Sequence, residues 1–133
     1  MPFAIPQLKA SGVIRPSRFV KLDSSENNSV LEADAGEQTF GISQEGTKDV
    51  PYGSVVNAAE DGDLVRVHPM GAYCLIEIGT GGCSPGTKLK SDADGKGVAA
   101  TGDQEWFGAI AIEAGAAGEK VSAYCWGGYI SIA

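Results

Sequence analysis

Pro85-Gly86-Thr87-Lys88-Leu89-Lys90-Ser91-Asp92 restates, in spacing and character, the earlier stretch Pro16-Ser17-Arg18-Phe19-Val20-Lys21-Leu22-Asp23. In both, a Pro opens an extended segment, Lys and aliphatic residues alternate, and an Asp closes it. Two further landmarks recur in the same order. Gly36-Glu37-Gln38-Thr39-Phe40-Gly41 matches Gly102-Asp103-Gln104-Glu105-Trp106-Phe107-Gly108 if one residue is inserted. Asp61-Gly62-Asp63-Leu64-Val65-Arg66-Val67 matches Ala117-Gly118-Glu119-Lys120-Val121-Ser122-Ala123. Three matches in register point to an internal duplication, residues 12–68 against 79–125, with Phe40 and Phe107 expected in equivalent buried positions. Two copies are too few for an open solenoid, so the halves are expected to share one core in a compact, two-fold-like sandwich or barrel.

Composition agrees with an all-β domain. The 133 residues suffice for one domain, 43% are hydrophobic and 20% charged, and 19 glycines lie between short apolar runs rather than in a collagen-like period. The predicted organisation is an extended N-terminal arm over 1–12 and a single β domain over 13–133. The formal net charge of −7 argues against a nucleic-acid groove, where Lys and Arg dominate, and against attraction to anionic lipid. No apolar run approaches the ~20 residues that a membrane span needs.

The three cysteines, Cys74, Cys83 and Cys125, cannot all pair within one chain and are expected as small buried or half-buried hydrophobes, although a Cys74–Cys83 clip stays open. The start, Met1-Pro2-Phe3-Ala4-Ile5-Pro6, has no basic segment and is broken by prolines, so synthesis in a cytosol is expected. Pro2 and Pro6 remove backbone donors and fix φ, which makes 1–12 read as extended chain with little to pair in a sheet. Phe3, Ile5 and Leu8 are costly to leave in water, at ~25 cal/mol per Å². Phe3, Ile5, Pro6 and Leu8 are therefore the candidate partner-binding residues, in an arm that docks on a neighbouring subunit.

Strands are predicted at 18–22, 29–32, 39–43, 64–68, 72–78, 87–90, 97–100, 106–113, 119–126 and 129–132. The segments 64–68 and 72–78 read as a hairpin turned by Pro69-Met70-Gly71, and Gly127-Gly128 as a break before the last strand. Residues 42–53 read as a long polar loop, and 55–60 as either a helical turn or a strand. No stretch has the length and capping of an amphipathic helix.

Chemical motifs do not rise above structural turns. The run from Gly79 to Lys88 is rich in Gly but lacks the Gly-Lys-Ser/Thr ending and a following helix that a phosphate loop needs. Asp92-Ala93-Asp94-Gly95 begins like a calcium loop without its later ligands. His68 is the only histidine, and one imidazole with scattered thiols gives no zinc spacing. Nothing selects Glu105 and Glu113 as a glycosidase pair. The expectation is a protein that is not an enzyme and holds no cofactor or metal.

The order Arg-Pro-Ser…Val-Lys-Leu-Asp, Gly-Glu-Gln…Phe-Gly-Ile, Ala-Glu-Asp-Gly-Asp-Leu-Val-Arg-Val, then Gly-x-Lys-Leu and a second Phe-Gly resembles the small Gly-rich capsid decoration, or head cement, proteins of tailed bacteriophages. The resemblance runs from about Gly12 to Tyr124 and lies in the spacing of strands and turns. It implies a β-rich homotrimer on the outer capsid surface of the virion, made in the bacterial cytoplasm. It also implies that the chain binds the major capsid protein and stabilises the head. The alternatives are another phage structural module, such as a head fibre base, spike or tail part, and a small β-barrel binding module or enzyme. A repetitive C-terminal stalk would favour the fibre reading, and the sequence contains none.

Overall fold

The computed structural model describes residues 8–44 and 59–131. Eleven strands, and no helix among the described residues, are divided between two sheets. The first contains β1 (Leu8–Ala10), β2 (Phe19–Leu22), β3 (Ser29–Glu32), β4 (Gly41–Ser43), β5 (Leu64–Val65) and β6 (Val67–His68), in the order β5-β1-β3-β2-β4-β6. Only Arg66 separates β5 from β6, so the two ends of that order belong to one extended segment and the sheet closes into a barrel. The second contains β7 (Tyr73–Glu77), β8 (Lys88–Ser91), β9 (Gly97–Ala99), β10 (Trp106–Ala111) and β11 (Lys120–Tyr129), in the order β7-β11-β10-β8-β9. A parallel bridge between Ile78 and Gly97 joins its ends.

The two barrels share one topology. β1 pairs parallel to β3 and antiparallel to β5, and the β7 segment likewise meets β9 in parallel and β11 antiparallel. The hairpin β2–β3 and the pair β2–β4 correspond to β8–β9 and β8–β10. Small details repeat as well. The Asp23 carboxylate accepts the Ser25 amide at 2.9 Å, and Asp92 accepts the Asp94 amide at 2.8 Å. The reciprocal bridge Ile14–Ala59 recurs as Cys83–Gly115. Positive φ occurs at matched turn positions: Ser17 and Gly86, Asn28 and Gly95, Gly36 and Gln104, Gly62 and Gly118.

The duplication is therefore real in topology, but its register and extent differ from the sequence-based alignment. Glu37 and Glu105 are equivalent, since each takes a lysine (Lys21 at 2.7 Å, and Lys90) and a backbone amide of its own turn (Asp34 and Gly102). The extra residue thus falls near Thr101, before the turn. Val20 faces Gly41 as Leu89 faces Ala109, which makes Phe40 the counterpart of Gly108 and Thr39 that of Phe107. A shift of one residue on a strand moves a side chain to the opposite face. Phe107 is accordingly buried, whereas Phe40 is 41% exposed. The first copy also begins earlier than residue 12. Leu8–Ala10, expected in the arm, forms β1 between β3 and β5 and belongs to the first barrel.

Two cores replace the single one expected. Ala10, Ile14, Val20, Val30, Ala59 and Val65 fill the first barrel. Ile76, Ile78, Leu89, Ala109, Val121, Ala123 and Cys125 fill the second. Phe19, Ala33 and Ile42, which belong to strands and turns of the first barrel, pack with the second cluster. Phe19 and Ile42 alternate with the inward-facing Val20 and Gly41, so they lie on the barrel's outer face and form the junction between the halves.

Hydrogen bonds reinforce that junction. The Phe19 amide donates to the Gly95 carbonyl at 2.8 Å, Glu77 to Ser17 at 2.9 Å, and Gly36 to Ser91 at 3.0 Å. The buried Arg18 donates to the Asp94 carbonyl at 2.9 Å and to the Glu77 carboxylate at 3.2 Å. Pro69 to Ala72 form a turn, as expected, but β6 and β7 on either side of it enter different barrels, so no hairpin forms. β11 runs on through Gly127-Gly128 to Tyr129, with a bulge opposite Phe107–Ala109. A Cβ at Gly127 would press on the Trp106 ring and on Met70, so glycine there accommodates neighbouring side chains within a continuous strand.

Candidate partner-binding surfaces

Two exposed apolar areas stand out, one on each barrel. Along β11, Val121, Ala123 and Cys125 point inward, so Ser122, Tyr124 and Trp126 point outward. β7 sets Tyr73 opposite Tyr124, and β10 sets Ile110 opposite Tyr124 on its other side. The Tyr73 and Tyr124 rings lie 5.1 Å apart, and Tyr124 stacks on Trp126 at 6.1 Å. Tyr73 is 73% exposed and Trp126 50%, with Leu75 and Ile112 also exposed nearby in sequence. At the start of β10, Trp106 meets Tyr129 edge-on at 5.2 Å and donates its indole N–H to the Thr39 hydroxyl at 3.1 Å, across the junction. Such a face has the makeup of an interaction surface: large, rigid, amphipathic rings with few charges among them.

The second area belongs to the first barrel. Leu22 is 54% exposed at the end of β2, beside Phe40, which immediately precedes β4. Lys21, Glu37, Gln38 and Thr39 share a shallow depression with them. The aromatic positions were present in the sequence, but their clustering follows only from strand pairing.

Of the candidate arm residues Phe3, Ile5, Pro6 and Leu8, only Leu8 is among the described residues; Phe3, Ile5 and Pro6 lie outside them. Leu8 is half-buried in β1 and packs against the first core, opposite Val65.

No catalytic constellation appears among the described residues, and no group of three or more His, Cys, Asp or Glu side chains is placed to hold a metal ion. Gly81 and Gly82 shape a turn after β7, and the Thr87 hydroxyl accepts the Ser84 amide at 3.1 Å. Asp92 closes its own turn by accepting the Asp94 and Lys96 amides. Glu105 pairs with Lys90, which together with the Gly102 amide holds its pKa below the ordinary value. Glu113 accepts the Ser122 amide at 2.7 Å. Each carboxylate is committed to its own turn or strand, and the two do not converge.

His68 ends β6, and burial lowers its pKa. All three cysteines are free. Burial pushes the Cys74 thiol up to about 12 and the Cys125 thiol up to about 11. Cys83 is half-buried, with its thiol raised chiefly by burial. Thiols held protonated in this way are poor nucleophiles.

No family model and no curated protein matches the chain. Among solved structures it is similar to the N base of the head fibre gp8.5 of bacteriophage phi29. The two superpose with a TM-score of 0.63 over 90% of each chain, at 17% sequence identity. That likeness is one of fold, and its extent takes in both barrels.

Proposed function

We propose that this chain is a structural protein of a bacteriophage head, seated on the outer surface of the shell as the base of a projecting element. The observation that carries the reading is the shared tandem fold: 90% of this chain superposes on the base of a phage head fibre. The surfaces are consistent with it. The apolar areas are broad and shallow rather than concave, which suits protein contacts repeated over a shell better than capture of a small molecule. A net charge of −7 suits an outer surface rather than a DNA-facing one.

The partner proposed is the major capsid protein, and the chain is proposed to act there as a homotrimer. A second reading, a decoration protein that cements capsomers without bearing a fibre, is favoured by the strand-and-turn order that resembles that family. Both readings share the mechanism. A protein that binds only the assembled shell stabilises it by RT ln(1 + [L]/Kd) at each site. Bridging several subunits at once raises the effective strength further.

The deciding experiment adds the purified protein to heads made without it and maps the particles. Ordered density at repeated positions outside the shell is the expected result, with three-fold symmetry in each copy. A projection continuing outward in the native virion would select the fibre base, and flush density would select the cement. Absence of binding to shells would refute both, and two-fold density would refute the trimer.

A further inference from the structure

Matching the two barrels residue by residue exposes an interface that the chain completes once and leaves open once. Within the chain, the outer face of the first barrel (Phe19, Ala33, Ile42) is covered by the second barrel, which contributes Ser91, Gly95 and Gly108 to the contact. By the strand register, the counterparts of the covered face on the second barrel are Lys88, Ala100 and Ile110. The counterparts of the covering residues on the first barrel are Leu22, Asn28 and Phe40. Lys88, Leu22, Asn28 and Phe40 are exposed, Ile110 is half-buried at the margin of the aromatic face, and Ala100 is buried.

We propose that the second barrel of one copy docks on the first barrel of the next, repeating between chains the contact made within each chain. The occupant of the open face is thus a second copy of this chain, in a head-to-tail arrangement. Size complementarity supports the pairing. Inside the chain, large Phe19 lies against Gly108, where an added Cβ would come within 2.8 Å of the ring. Between chains the sizes exchange sides: Phe40 replaces Gly108, and flexible Lys88 replaces Phe19. A lysine can lay its stem along an aromatic ring and present its ammonium to the ring face, as Lys88 already does to Phe107 at 5.2 Å. Leu22 in place of Ser91 adds a second apolar contact. A head-to-tail contact of this kind generates a ring if its rotation closes. The inference rests on the chain's proposed self-association and is independent of shell binding.

The test is a charge swap at the proposed pair, read as molecular mass by sedimentation, with circular dichroism to confirm folding. The wild type is expected to associate. Phe40→Lys sets a like charge against Lys88 and should weaken association by at least ~30-fold. Adding Lys88→Asp to Phe40→Lys restores attraction and should recover most of the wild-type mass. Ile110→Asp should also dissociate the assembly. A wild type that remains monomeric at every concentration overturns the inference. So does an unchanged mass in Phe40→Lys, or a failure of Lys88→Asp to rescue it. An associated wild type indifferent to these substitutions would leave the homotrimer standing and remove only this choice of faces. Binding to empty heads, measured separately, tests the shell reading.

Discussion

At Gly108 the junction leaves no room for a side chain: a Cβ would meet the Thr39 hydroxyl and lie 2.8 Å from the Phe19 ring. Gly108→Ala is therefore expected to destabilise the fold by ~1–3 kcal/mol through overpacking, read as a lower midpoint in denaturant. Relief by Phe19→Leu in the same chain would confirm the contact, and a neutral Gly108→Ala would contradict it.

Titration provides a second check on single residues. Cys74 and Cys125 have folded pKa values of about 12 and about 11 against an ordinary value of 9.0, so the stability they contribute is complete below pH 9 and lost as pH rises toward 12. His68, lowered by burial from 6.5, and Glu37 and Glu105, lowered from 4.5 by their lysines, act at the other end. Their stabilisation is present above those ordinary values and lost as pH falls. The melting temperature should form a plateau between about pH 7 and 9 and decline on both sides. A thiol reagent at neutral pH should modify Cys83 before Cys74 or Cys125. Rapid modification of all three would contradict the burial.

At the scale of elements, the repeat shows which contacts fix register. The pairs Lys21–Glu37 and Lys90–Glu105 occupy matching places, and each glutamate also ties down the turn before its strand. The second copy reaches the same geometry with one residue more, in the loop around Thr101. Loops absorb single-residue changes because few buried groups depend on them. Deletion of Thr101 should cost at most ~1 kcal/mol and leave Phe107 buried, as judged by an unchanged near-ultraviolet spectrum. A register slip would turn Phe107 outward and abolish that spectrum.

For the whole molecule, the consequence of two cores is that cooperativity depends on the junction. Phe19→Ala removes the largest fully buried side chain there, at an expected cost of ~3–5 kcal/mol. Calorimetry should then show a van't Hoff enthalpy below the calorimetric one, because the barrels no longer unfold together. A single cooperative transition in Phe19→Ala would show that other contacts couple the halves. The arm separates at the same scale. Deleting residues 2–7 spares β1 and should leave folding intact while weakening attachment to shells, if Phe3, Ile5 and Pro6 reach a neighbour. Deleting residues 2–10 takes β1 out of the sheet and should unfold the first barrel, so only the shorter deletion tests the arm. Undiminished binding after the shorter deletion would remove the arm from the interface.

By itself, the sequence determined the all-β class, the turn positions and the existence of two copies. These are local properties: Gly and Asp at recurring offsets specify turns, and alternation within a strand specifies which residues share a face. The closure of each half on itself, the entry of Leu8–Ala10 into the sheet and the separation of β6 from β7 were decided by tertiary structure. So were the passage of β11 through Gly127-Gly128 and the one-residue offset that buries Phe107 but exposes Phe40. Each depends on which distant strand supplies the next row of hydrogen bonds, and no local pattern encodes that choice. The aromatic face was invisible for the same reason, since Tyr73, Ile110 and Tyr124 become neighbours only when β7, β11 and β10 lie side by side.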